Sequence, residues 1–318
     1  MTTKRIAAIA IAAVLIVAAL LIRNGLDDDS SSATDGTDKP TGGKITVICS
    51  TEFEAICRQL PSTYTVTVEP AGDTLDRLAE AGAALPDAWI TLDPFPGMID
   101  VLRGVAGATP TSPMVLTVAT DTPMLAVVKS LVPSVEALCG STVSWKCAGS
   151  KAGQSIGAEA KLLPGITDPD SEASGLLTFA NAVAGYFDSS ALDTSAWQDN
   201  SGFATWLRTL TTTSKVNVAA SGVEPLATLI TRKTIVNVAA TTASETTVST
   251  RADAFTAFPL TPSIAYAAVV ATFGNRAGSL ASVVGPLLVN AGWTEAGDPK
   301  STLPAGTFVA LRTLWEGK

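Results

Sequence analysis

Apolar residues fall along the chain in three patterns: one long unbroken run, several short β-branched runs, and stretches with helical spacing. The long run, Ile6 to Ile22, holds 17 uncharged residues. It stands at the short end of what crosses a bilayer as a helix, roughly 17 to 25 residues. Lys4 and Arg5 precede it, and Arg23, Asp27, Asp28 and Asp29 follow. This charge order predicts an N-terminal transmembrane helix or signal anchor over residues 1–23, with the amino terminus inside and the rest of the chain outside the cytoplasm. A cleaved signal peptide is the competing reading and exports the same residues. No cysteine sits near the end of the run, which argues against a lipoprotein anchor. Residues 24–43 are acidic and rich in Ser, Thr and Gly, and they read as a flexible linker.

The short runs begin at Lys44. Lys44 to Ser50 predicts a buried strand, and Thr51 to Glu54 then fits a capping box leading into helical spacing at Phe53, Ile56, Cys57 and Leu60. Tyr64 to Val68 alternates as a second strand. Gly72-Asp73-Thr74 turns the chain into a helix with Leu75, Leu78 and Ala79 on one face, and Asp87 to Leu92 is a third strand. Strands alternating with helices predict a parallel α/β sheet whose strand ends share one edge. Ligands bind at such edges, beside helix amino termini, so the corners at Ser50-Thr51, Gly72 to Thr74 and Asp93 are expected on a common rim. Further along, Met114 to Ala119 and Ser263 to Thr272 read as strands, and Pro225 to Val238 as one or two more. Ser171 or Ser174 is expected to cap a helix through Leu176, Phe179, Ala180 and Val183. Ala281 to Asn290 reads as a helix interrupted at Gly285-Pro286.

Composition narrows the chemistry. An apolar fraction of 47% is enough for a large core. The 29 acidic residues outnumber the 21 basic ones, which disfavours nucleic acid as a partner. There is no histidine, so a Ser-His-Asp triad, a Cys-His pair and an HExxH zinc site are excluded. Gly153-Gln154-Ser155-Ile156-Gly157 matches GxSxG, but a nucleophile elbow needs a strand before it and a histidine partner. No enzyme activity, cofactor or metal site is expected.

Cys49 and Cys57, and Cys139 and Cys147, form two close pairs. In an exported chain this spacing points to two local disulfides, Cys49–Cys57 and Cys139–Cys147. Four buried free thiols are the alternative; zinc is disfavoured because neither pair has CxxC spacing.

KITVICSTEFEAI, VTVEPAGDTLDRLAEA and LPDAWITLD resemble, in order, the opening of type 2 periplasmic (extracellular) solute-binding proteins, in the branch similar to molybdate-binding proteins. DPDSEASGLLTFANAVAGYF resembles that family's second-lobe helix start, and AFPLTPSIAYAAVVAT followed by AGW resembles its returning strand and ending. The resemblance implies a two-lobed type 2 periplasmic-binding-protein-like α/β fold behind the membrane anchor. Lobe I would hold residues 44–116 plus 259–318, and lobe II residues 117–258. The chain would cross between them near Val115–Ala119 and Phe258–Ala265, and hinge closure would trap a ligand between the lobes.

Ser50, Thr51, Thr74 and Ser174 match the family's polar corner positions, where hydroxyls and helix amides can hold an oxyanion. Each can equally be a helix cap. Asp73 and Asp93 depart from a pattern suited to anions. If they face the cleft, the ligand is cationic, polyhydroxylated or metal-bound; otherwise they cap or are solvated. Asp168 to Ser174 lacks EF-hand spacing and reads as a helix start. Tyr186, Phe187, Trp197, Phe203 and Trp206 read as second-lobe core.

Two functions follow. One is a membrane-tethered solute-binding protein that captures a small polar solute, such as an oxyanion, for import through an ABC transporter permease or for sensing. The other is a cell-envelope protein-interaction module on the same fold with a ligand-free cleft.

Overall fold

A computed structural model describes residues 44–157, 160–217, 224–296 and 303–317; the expected membrane helix and linker lie outside these residues. Among the described residues no helix is long and apolar enough to cross a membrane. The chain begins with β1 (Ile45–Ser50), a short 3-10 turn, α1 (Glu54–Cys57), β2 (Tyr64–Glu69), α2 (Ala71–Ala79), β3 (Ala88–Leu92), α3 (Phe95–Val105) and β4 (Met114–Asp121). β1 pairs in parallel with β2 on one side and β3 on the other. All five residues of β3 are buried, as expected of a strand inside the sheet between β1 and β11. α2 buries Leu75 and Leu78 at its spacing of three, and α3 buries Phe95, Met98 and Ile99.

From Asp121 the chain leaves this sheet and enters a second one at β5 (Pro123–Val128). It continues through α4 (Val132–Cys139), α5 (Trp145–Lys151), the short strands β6 (Ser155–Ile156), β7 (Ala160–Lys161) and β8 (Pro164–Gly165), and α6 (Ala173–Phe187). Then come α7 (Ser195–Gln198), α8 (Ser201–Asn217), α9 (Pro225–Thr231), β9 (Val238–Thr242), α10 (Ala243–Val248) and β10 (Phe255–Pro259). The second sheet has the order β10-β5-β9-β8. The chain returns to the first sheet at β11 (Tyr266–Thr272), which runs antiparallel between β3 and β4. α11 (Leu280–Asn290), β12 (Thr294–Glu295) and α12 (Ala305–Glu316) complete the described chain. The architecture is therefore α/β, with two mixed sheets joined by two crossing segments.

Two bodies of core result. The larger runs from the first sheet through α6 to α5 and α8. There Tyr186, Phe187, Trp197, Phe203 and Trp206 pack with ring centroids 5.0 to 6.4 Å apart, the expected aromatic core. The smaller lies between the second sheet and α9 and includes Ala126, Leu226, Leu229 and Phe255. Both disulfides are formed: Cys49–Cys57 ties the end of β1 to α1, and Cys139–Cys147 ties α4 to α5.

Several local expectations are corrected. Thr51 to Glu54 makes no capping box, because the Thr51 hydroxyl donates to Glu172, far along the chain. α2 starts at Ala71, behind Pro70, so Gly72-Asp73-Thr74 is its first turn and not the corner. Gly72 is required there: a Cβ would stand 2.1 Å from the Asp170 carbonyl oxygen, and the Gly72 N–H donates to Ser171 at 2.8 Å. Residues 225–231 are helix, not strand. Pro225 suits the first helical position, where no N–H is needed, and packing of Leu226 and Leu229 overrides the β-branched composition. α11 runs through Gly285-Pro286 without a break, held by buried Leu280, Val284 and Leu288. Gly285 lets it approach β4, since a Cβ would lie 3.4 Å from the Val118 carbonyl oxygen. Ser155 of the GxSxG match lies exposed on β6, which pairs with β7 as a small hairpin and not as a strand-to-helix elbow.

Candidate functional site

A cavity of ≈ 180 Å³ lies where the two sheets approach each other, and both contribute its walls. Glu52 and Phe53 come from the turn after β1, Tyr266 from the start of β11, and Trp293 from the segment after α11. Glu224 precedes α9, Ser244 and Glu245 open α10, and Ser174 sits in the first turn of α6. A narrower pocket continues from it past Thr178, Thr241 and Thr242.

The amino terminus of α6 exposes amides that no residue of its own helix can satisfy. Neither Ser171 nor Ser174 caps it. Instead Glu52 Oε1 accepts the Ser174 N–H at 2.8 Å. With the neighbouring Thr51–Glu172 bond, two consecutive corner residues clasp the start of α6. The second carboxylate oxygen, Glu52 Oε2, and the Ser174 hydroxyl are buried without a hydrogen-bond partner among the described residues.

α10 opens with a true capping box: Thr242 Oγ1 accepts from the Glu245 N–H at 3.4 Å, and Glu245 Oε2 accepts from the Thr242 N–H at 3.2 Å. Thr241 also donates to Glu245 at 2.6 Å. Buried Asp121, at the first crossing, accepts from the Ser244 hydroxyl and from its N–H at 3.2 Å. The Tyr266 and Thr178 hydroxyls pair at 2.6 Å.

This concentration of carboxylates shifts their titration. Burial, then the charge of Glu172, pushes Glu52 up to about 7. Burial, then Glu245, Glu52 and Glu172, pushes Glu224 up to about 8. Glu245 also moves up, chiefly by burial, against the pull of its Thr241 and Thr242 hydrogen bonds. Burial raises Tyr266 as well.

The residues singled out from sequence are dispersed around this centre. Ser174 lines the cavity. Thr51 does not line it and donates to Glu172, at the start of α6. Ser50 is fully buried, donating to Thr91 at 2.9 Å and accepting from Trp89 at 3.2 Å. Thr74 is fully buried and donates to Glu69 at 2.7 Å. Asp73 is exposed on α2. Asp93 is half-buried, and its N–H donates to Ala267 at 2.8 Å. Glu52, Glu224, Glu245, Tyr266 and Trp293 were not anticipated as cavity residues. Only Glu245 carried a local signal, the Thr-x-x-Glu box at Thr242; the others meet through contacts distant in sequence.

A larger cavity of ≈ 410 Å³, with Lys161 and Lys233 on its walls, lies beside β8 and β9. Its amide, Asn237, is already engaged, accepting from Leu163 N–H at 2.8 Å and donating to Lys161 at 2.7 Å. Among the described residues no group of three or more Asp, Glu, Cys or His side chains is arranged to hold a metal ion.

No family model matches the chain, and no curated protein matches it. Solved structures resemble it in chain path at low identity. The periplasmic binding protein P5PA shares 11% identity over 86% of this chain and 99% of its own, with a TM-score of 0.48. The periplasmic binding protein AfuA from Actinobacillus pleuropneumoniae, with fructose-6-phosphate bound, shares 11% over 82% and 88%, at 0.49. The periplasmic molybdate-binding protein of Azotobacter vinelandii shares 12% over 80% and 100%, at 0.42.

Proposed function

We propose that this chain is an exported solute-binding protein of the type 2 periplasmic-binding kind, tethered through residues 1–23 and the linker 24–43. It captures a small polar solute between a lobe of residues 44–116 plus 259–318 and a lobe of residues 117–258, for import by an ABC transporter permease or for sensing. The observation that carries this reading is the cavity itself: it lies beside the crossings and draws polar walls from both sheets. Two disulfides fit an oxidising compartment outside the cytoplasm. The reading is tested by thermal denaturation of the full-length chain with oxyanions, sugars, amino acids and amines. A bound solute at about a hundred times its Kd adds about 2.7 kcal/mol of stability.

One observation favours the second reading, an envelope interaction module. α6 is fastened to β11 by Thr178–Tyr266 and to the returning segment by paired Asn181–Ile264 bonds at 2.8 and 3.0 Å, and the segment before it is fastened to α12 by Arg312–Asp170 at 2.7 Å. Such fastening opposes opening of the cleft. Absence of stabilisation by every solute class, with co-purification of an envelope protein, supports this reading.

A further inference from the structure

The charge on the cavity wall is of one sign. Among the described residues Glu52, Glu224 and Glu245 line it, and no lysine or arginine does. The place where a helix amino terminus could receive an anion is already filled, because Glu52 Oε1 occupies the Ser174 amide of α6. The chain thus supplies its own carboxylate where an oxyanion would dock. Glu52 Oε2, an acceptor, and the Ser174 hydroxyl, an acceptor or a donor, belong to residues lining the cavity and are buried without a hydrogen-bond partner among the described residues. A donor-rich ligand meets that need. Phe53 and Trp293 line the same cavity, with ring centroids 5.7 Å apart. An aromatic face attracts a cation through its ring quadrupole but ligates no metal. The volume of ≈ 180 Å³ is below the roughly 300 Å³ of drug-sized sites and suits a small metabolite.

We infer that the cleft takes a small organic cation, an alkylammonium or a small amine, with its N–H donors on Glu52, Glu224 and Ser174 and its carbon skeleton against Trp293. This inference rests on the solute-binding reading and names its substrate class.

The empty cleft keeps its carboxylates tolerable by holding protons, as the upward displacement of Glu52 to about 7 and Glu224 to about 8 indicates. Among the described residues, Glu172, Glu245, Asp121 and Tyr266 are the other titratable groups acting in this cluster, and none is basic. A cation replaces those protons. Binding therefore releases protons and strengthens as pH rises through about 7 and about 8.

The test is calorimetric titration of the full-length chain with 1,4-diaminobutane, ethylammonium chloride and guanidinium chloride, against molybdate, sulfate, glucose and calcium chloride. Each is run at about pH 6 and about pH 9, to bracket the glutamate titrations. The expected result is binding of at least one organic cation, tighter at the higher pH and with proton release. Glu52→Gln, Glu224→Gln and Trp293→Leu should each weaken it by about tenfold or more. The exposed Ser155→Ala leaves it unchanged, and the thermal transition of every variant reports folding. Binding of an anion or glucose with none of an organic cation, or tighter binding at low pH, overturns this inference and leaves the solute-binding reading standing. Binding of calcium alone also overturns it. No binding of any probe counts against both.

Discussion

Glu52 accepts the backbone N–H of Ser174 at 2.8 Å across 122 residues of sequence, so a turn after the first strand caps the helix that opens toward the cavity. The bond couples the first sheet to the amino terminus of α6 and sets the orientation of the unpartnered Glu52 Oε2. Structural and binding roles therefore meet on one carboxylate, and they separate by substitution.

Glu52→Ala removes the cap and should cost about 0.5–2 kcal/mol of unfolding free energy in denaturant titrations. Glu52→Gln keeps a carbonyl acceptor for the Ser174 amide and should retain most of that stability. Equal losses in the two variants would show that the amide is not what Glu52 serves.

The empty protein should lose stability as pH rises from the ordinary carboxylate range through about 7 and about 8. Glu52 and Glu224 hold protons in the folded state that the unfolded chain has already released, so their contribution is complete below the unfolded value and disappears above the folded one. Glu224→Gln should flatten the upper part of this decline in a series of Tm values. A decline of the same slope in the variant would remove Glu224 from the account.

Gly72→Ala should destabilise by about 1–3 kcal/mol, because its Cβ meets a backbone carbonyl and not the end of a flexible side chain. The Asp170 carbonyl would have to move, and with it the segment leading to α6. Chemical denaturation reads this directly; a neutral substitution would mean that residues 168–172 yield freely.

Reduction of Cys139–Cys147 should cost about 2–3 kcal/mol in the chain-entropy account of a short loop. The pair spans a sequence separation of 8 and joins α4 to α5, whose Lys146 carbonyl accepts from Trp206 at 3.2 Å. Replacement of both cysteines by serine, followed by denaturation, gives the value. Thiol titration of the unfolded, unreduced protein should find no free thiol.

The centre of the first sheet was legible in the sequence because β3 and β11 are buried along their whole length and therefore appear as largely apolar runs. The disulfides were legible from spacing in an exported chain. Residues 225–231 were not, since Thr and Ile favour strands until Leu226 and Leu229 find a core. α11 was read as broken because proline removes one ladder bond, a cost that burial of Leu280, Val284 and Leu288 offsets. The cavity was the least legible part. Ser174 was picked out, but Glu52 resembled an ordinary first-turn acid, and Glu224 sits outside any periodic pattern. Their shared function depends on where β1, α6 and α9 end in space, which no local pattern encodes.

The central claim, an organic-cation site between the two sheets, is tested most directly by a crystal structure of the protein grown with saturating 1,4-diaminobutane. The account predicts density for the amine among Glu52, Glu224 and Trp293, with a nitrogen in hydrogen-bond range of Glu52 Oε2. A cleft holding only water under those conditions, or the amine bound elsewhere on the surface, would contradict it.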